Sequence, residues 1–238
     1  MLELQGSVDF GPEQNRSITF RIRGRTTPQF KRQFYPATGP IQIPADQFMW
    51  RNRIRDEIVL IFREGKFVPA RRRYAGSPPR PGCWIVVLES PHRDEYSATF
   101  SPLGPLQNRE SRKRFYRYIR SLCREIGGLT NGVEIVLCNP VPYQTSLARL
   151  MEDDAGIQSA VRNAVWRELF RQGFTHEFES RLQAYQPSVV INACTYDLRN
   201  EVGTALKQYL RQATRKFCIF TCNRHPCIWI QRPVLKMG

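Results

Sequence analysis

Several things are missing from this chain. No apolar run approaches the roughly 20 residues a membrane helix needs, and no basic–apolar–small leader pattern opens it. The seven cysteines are odd in number and show no disulfide spacing, and no C-x-x-C pair occurs, which argues against a zinc knuckle or an iron–sulfur cluster. Cys218, Cys222 and Cys227 lie near His225 but lack that spacing. No internal repeat is visible. Acidic residues are few: 21 Asp and Glu stand against 36 Lys and Arg. These absences lead to the expectation of a cytoplasmic, reduced, monomeric protein with no membrane segment, no metal and no cofactor.

What is present is a globular composition, 41% apolar, with a net charge of +15. An excess of that size points to a polyanionic partner, most simply nucleic acid. At 238 residues the chain holds one full core with an appendage. Residues 1–81 read as a basic N-terminal extension. A half-buried strand is expected over Ser17–Ile22, and a helix from an Asp46 cap to Gly65, with Phe48, Ile54, Ile58 and Ile61 on one face. The Pro-rich, basic connector Ser77-Pro-Pro-Arg-Pro-Gly82 then marks a boundary.

From residue 82 to 238 strands and helices alternate. Strands are expected at Trp84–Leu88, Val133–Cys138, Val189–Asn192 and Phe217–Phe220, with helices between them near 111–126, 157–172, 176–185 and 200–211. Gly127-Gly128 ends the first of these helices, whose outer face carries Arg112, Lys113, Arg114, Arg117, Arg120 and Arg124. Short, continuous apolar strands separated by helices predict an α/β domain. The expected architecture is a central four-stranded parallel sheet covered by helices on both faces. Right-handed crossovers put the four strand ends on one rim. That rim carries Glu89-Ser-Pro-His92, Asn139, Asn192–Thr195 and Asn223–Cys227, and such rims are where open α/β sheets bind ligands.

These strand-end motifs resemble those of the uracil-DNA glycosylase superfamily. Leu88-Glu-Ser-Pro-His92 is similar to its first motif, with Glu89 in the position of the Glu in G-E-A-P-G. Asn139 looks like its strand-end Asn, and His225-Pro-Cys227 like its final H-P-S. Pro187–Asn192 resembles the P-x-V-I-V strand, and Phe100-Ser-Pro-Leu-Gly-Pro105 the P-F-V-G segment whose aromatic stacks on the base. The match departs at Leu88, which replaces a Gly, and at Cys227, which replaces a Ser.

The resemblance implies a monofunctional DNA glycosylase that flips out and excises a modified pyrimidine, leaving an abasic site. The base is uracil or, as in a phage-defence branch of the family, glucosylated hydroxymethylcytosine. Glu89 and His225 are the expected catalytic residues: Glu89 orients water and stabilises the sugar cation, and His225 donates to the departing base. Asn139, His92 and Phe100 are expected to contact the base. Arg224, Ile228 and Trp229 are expected to hold DNA and wedge the gap left by flipping. Two other readings stay open: a non-catalytic nucleic-acid binder, and a metal-dependent nuclease using Asp94-Glu95 or Asp153-Asp154.

Overall fold

The computed structural model describes residues 2–9, 17–24, 41–42, 53–74, 78–97, 101–143, 145, 162–163 and 165–238. Two sheets are present among the described residues. The smaller joins β1 (Leu2–Asp9), β2 (Ser17–Gly24) and β3 (Ile41–Gln42) in the order β2-β1-β3. The strand expected at Ser17–Ile22 is thus β2, paired antiparallel with β1.

The larger sheet has seven strands in mixed orientation. Its centre is the set read from the sequence: β6 (Trp84–Val87), β7 (Glu134–Cys138), β8 (Val189–Asn192) and β9 (Cys218–Cys222), all parallel. Three strands were not anticipated. β4 (Glu57–Arg63) and β5 (Lys66–Tyr74) form a hairpin whose β4 pairs antiparallel with β7, and β10 (Leu235–Met237) pairs antiparallel with β9. The full order is β10-β9-β8-β6-β7-β4-β5, so the expected four-stranded parallel sheet is only the middle of a larger one.

The helix expected from Asp46 up to Gly65 is likewise corrected over 57–63, while Asp46 and Phe48 lie outside the described residues. Ile58-Val-Leu-Ile-Phe62 is a β-favouring run, and Glu64 (φ 48°) and Gly65 (φ 76°) make a two-residue turn with both residues left-handed. That geometry matches the twist of a tight hairpin. Phe62 and Phe67 face each other across it, with ring centroids 5.1 Å apart. The sheet therefore extends to the N-terminal side of the Pro-rich connector.

Alternation along the central strands divides the core between two faces. Trp84, Val86, Ile135, Leu137 and Ile191 pack on α1 (Arg109–Ile126) through Phe115, Ile119, Leu122 and Cys123. Ile85, Val87, Val136 and Val190 pack on the other helices, α2 (Thr175–Tyr185) and α3 (Tyr196–Gln212). Helical residues 162–163 and 165–169 precede α2, joined to it by the wider turn Phe170–Phe174, and add Trp166 and Leu169 to this face. Each such side chain contributes roughly 1.5–3 kcal/mol on burial. The expected helices on both faces are therefore found.

Connections from β6 and β8 depart in opposite directions. The chain leaves β6 through α1 to β7 on one side, and leaves β8 through α3 to β9 on the other. The gap above the carboxyl ends of β6 and β8 is thus the point where the winding reverses, the place a doubly wound sheet leaves open.

Candidate active site

A cavity of about 400 Å³ lies at this reversal, lined by the turn Leu88–His92 after β6, Asp94, Glu95, Leu106, Asn108, Ser111, Arg162, Thr195, His225 and Cys227. Its volume is at the lower end of the range for small-molecule sites, about 300–1,000 Å³. The amino ends of two long helices border it. Asn108 caps α1, its Oδ1 accepting from the Glu110 and Ser111 amides at 3.1 Å each. Thr195 opens α3, and its Oγ1 is buried without a hydrogen-bond partner.

Glu89 is 7% exposed. Its backbone is fixed by the Trp166 indole, which donates to the Glu89 carbonyl at 2.8 Å. Its carboxylate meets Arg162 at 3.3 Å through Oε1, while Oε2 is buried and unpaired. Arg162 is itself held: its guanidinium donates to Asn163 Oδ1 at 2.8 and 3.1 Å, and Asn163 Nδ2 donates to Asp197 at 2.9 Å. Neither Arg162 nor Asn163 stood out in the sequence. Both lie in a helical stretch with no motif around them, and only the fold brings them to β6.

His225 caps the short turn Pro226–Ile228, and its Nδ1 accepts from the Cys227 amide at 3.3 Å with the Cys227 thiol 2.9 Å away. Two donors at Nδ1 leave the proton of a neutral ring on Nε2. Desolvation lowers the His225 pKa, against the opposing pull of Glu89, and favours that neutral form. The Cys227 thiol, where the family motif has a hydroxyl, is pushed up first by burial and then by Glu89, so it acts as an S–H donor rather than a thiolate.

Glu95 was considered only as part of an acidic pair, yet burial perturbs it strongly. It is 6% exposed, and its pKa is raised from 4.5 to about 8, chiefly by desolvation, with Asp94 and Glu57 adding to it. Its signal in the sequence was weak: an acid three residues past His92 looks like the solvated start of a loop.

The other expected residues divide. His92 is on the cavity rim but exposed, its ring 3.5 Å from Asp94. Asn139 ends β7 as expected but is buried and does not line the cavity, and its Oδ1 has no partner. Asn192 turns its amide into the core, donating to the Arg199 carbonyl at 2.9 Å. Phe100 lies outside the described residues. Ile228 is 50% exposed, as a wedge must be, and Arg224 is half-buried.

Trp229 is a correction. It is 0% exposed, stacks on Phe115 at 5.8 Å and donates Nε1 to the Arg224 carbonyl at 2.8 Å. A ring buried this way is part of the core and cannot enter a base stack.

Among the described residues no cluster of three or more His, Cys, Asp or Glu is placed to hold a metal ion, and no helix is long and apolar enough to cross a membrane. The chain matches no protein-family model, no curated protein and no solved structure.

Proposed function

We propose that this chain is a monofunctional DNA glycosylase that hydrolyses the N-glycosidic bond of a modified pyrimidine flipped into the cavity above β6 and β8. The observation that carries this reading is the pairing, in one base-sized cavity, of a buried carboxylate with an unpaired oxygen and a neutral imidazole whose free N–H is Nε2. Glycosidic cleavage needs a negative group beside the sugar cation and a donor at the leaving base.

The residues take their roles as follows. Glu89 Oε2 accepts a hydrogen from the attacking water while its charge stabilises the oxocarbenium-like sugar. The C1′–N bond breaks and its electron pair leaves with the base. His225 Nε2–H stabilises the charge that develops there. Water oxygen bonds to C1′ and its proton passes to Glu89; the base leaves as an anion held by His225, and the proton on Glu89 is returned through solvent to that base, which restores the carboxylate. Arg162 fixes the Glu89 rotamer from the side opposite Oε2. The +15 charge and the basic outer face of α1, with Arg112, Arg117, Arg120 and Arg124, supply the attraction to phosphate. Ile228 fills the vacated stack.

Uracil-containing, damaged and phage-modified DNAs, each incubated with the chain, test this reading through alkali-labile strand breaks and release of free base. One of them is expected to give both, and Glu89→Gln is expected to give neither while binding DNA with the wild-type salt dependence. Binding without base loss on every substrate would leave a nucleic-acid binder. Activity lost on chelation of divalent cations would favour a nuclease, although Glu95, held neutral, is poorly suited to magnesium, which is bound by ionised carboxylates.

A further inference from the structure

The glycosylase reading uses Glu89 and His225 and leaves Glu95 without a task. Yet Glu95 lines the same cavity and is anchored more firmly than a loop acid needs to be. Its amide donates to the His92 carbonyl at 3.0 Å, and its carbonyl accepts from the Leu103 amide at 2.8 Å. Its Oε1 accepts from the Leu106 amide at 2.8 Å. Its Oε2 is buried and has no partner. Capping the Leu106 amide requires one oxygen, not two. An orphaned buried polar atom costs roughly 1–3 kcal/mol, and atoms of that kind that persist in a fold often serve a function.

The chemistry of the two oxygens differs. Oε1 already accepts a backbone N–H, so in the neutral acid the hydrogen sits on Oε2, facing no acceptor in the protein. We propose that Glu95 is a base-contacting residue of this site, donating its Oε2 hydrogen to a ring nitrogen or carbonyl oxygen of the bound heterocycle. This inference rests on the glycosylase reading and adds a second donor to the one at His225. The cavity then presents two neutral donors and one carboxylate, a set that suits a base with two acceptors on one edge, as pyrimidines have at N3 or O4 and at O2.

Burial keeps Glu95 protonated to about pH 8. The Leu106 and His92 amides pull against that burial, while two acids, Asp94 on its own turn and Glu57 on β4, push in the same direction as it. The remaining ionisable groups on the cavity wall are Glu89, His92, Arg162, His225 and Cys227.

The experiment is a pH profile of single-turnover base release for wild type, Glu95→Gln and Glu95→Ala. In Glu95→Gln the Leu106 amide keeps the side-chain oxygen at Oε1, so the NH2 replaces Oε2–H as a donor that cannot ionise. Wild type is expected to lose about tenfold in rate per pH unit above about pH 8. Glu95→Gln is expected to keep activity within a few-fold at pH 7 and to lack that alkaline limb. Glu95→Ala is expected to lose roughly tenfold or more at pH 7; should it fail to fold, Glu95→Gln decides alone. An alkaline limb unchanged in Glu95→Gln overturns this inference and leaves the glycosylase reading standing. No base release by wild type at any pH removes both.

Discussion

The protonation of Glu95 has a consequence for stability that needs no substrate. Its carboxyl holds its proton to about pH 8 in the folded chain but releases it near the ordinary 4.5 once unfolded. Between those values the folded state binds more protons than the unfolded one, so stability falls as pH rises. At about 1.4 kcal/mol per pH unit, the window from 4.5 to about 8 amounts to a loss on the order of 5 kcal/mol. Above about pH 8 both states are ionised and the loss stops growing.

Glu95→Gln removes this term. It keeps the Leu106 hydrogen bond and nearly the same volume, so wild type and variant are expected to be similarly stable near pH 5. By pH 8 the variant is expected to lead by several kcal/mol. The assay is urea unfolding of both proteins at unit steps from pH 5 to 9, read as the difference between them. His225 acts in the opposite direction, since its lowered pKa adds stability as pH rises up to the unfolded value of 6.5 and nothing further above it. The thiols of Cys83 and Cys123, pushed up to about 12 by burial, act only above about pH 9. Those contributions are common to both proteins and cancel. Stability curves that run parallel across the whole range would refute the claim that Glu95 is folded as a neutral acid.

Two further substitutions test the frame around the cavity. Arg181 is buried with Asp56 at 2.8 Å, and its other amino group donates to the Asn139 and Pro140 carbonyls at 2.9 and 3.0 Å. Arg181→Met strands a buried Asp56 and is expected to cost about 3–5 kcal/mol in urea unfolding, with part of the loss recovered by adding Asp56→Asn. Trp229→Ala is expected to cost about 3–5 kcal/mol through the cavity it opens beside Phe115. By contrast, Ile228→Ser is expected to change stability by less than about 0.5 kcal/mol while weakening binding to DNA in fluorescence anisotropy; equal destabilisation by both would place Ile228 in the core as well.

The parallel centre of the sheet was legible because a strand buried on both faces leaves an uninterrupted apolar run, as Trp84–Val87 and residues 189–191 do. The β4–β5 hairpin was not. Ile54, Ile58 and Ile61 happen to fall near helical spacing, and Gly65 reads equally well as a helix stop. The better clue was Glu64-Gly65 flanked by Ile58–Phe62 and Lys66-Phe67-Val68, a tight turn between two β-favouring runs. β10 is only three residues long and owes its existence to its partner β9. Of the site, Glu89 and His225 were legible because the ends of parallel strands fall on one rim. Arg162 and Glu95 were not, because their importance comes from burial and from neighbours distant in sequence. Trp229 was misplaced for the same reason: Ile228-Trp229 gives no sign of which residue turns inward.

The cavity's two glutamates show how a single turn can supply opposite chemistries. Glu89 and Glu95 are six positions apart, and both are nearly removed from solvent. Glu89 faces a guanidinium that Asn163 and Asp197 hold in place, and it lies near the amino end of α3. Glu95 is held neutral first by its burial, which outweighs the opposing Leu106 and His92 amides, with Asp94 and Glu57 pushing the same way. A carboxyl kept neutral by burial can donate a hydrogen bond where an ionised one only accepts. Each environment is built by a different element, Arg162 from the helix before α2 and Glu57 from β4. Substituting Glu57 by Gln is therefore expected to lower the Glu95 pKa, and substituting Arg162 to leave it in place, whereas a carboxyl that merely shared a polar pocket with Arg162 would respond to both.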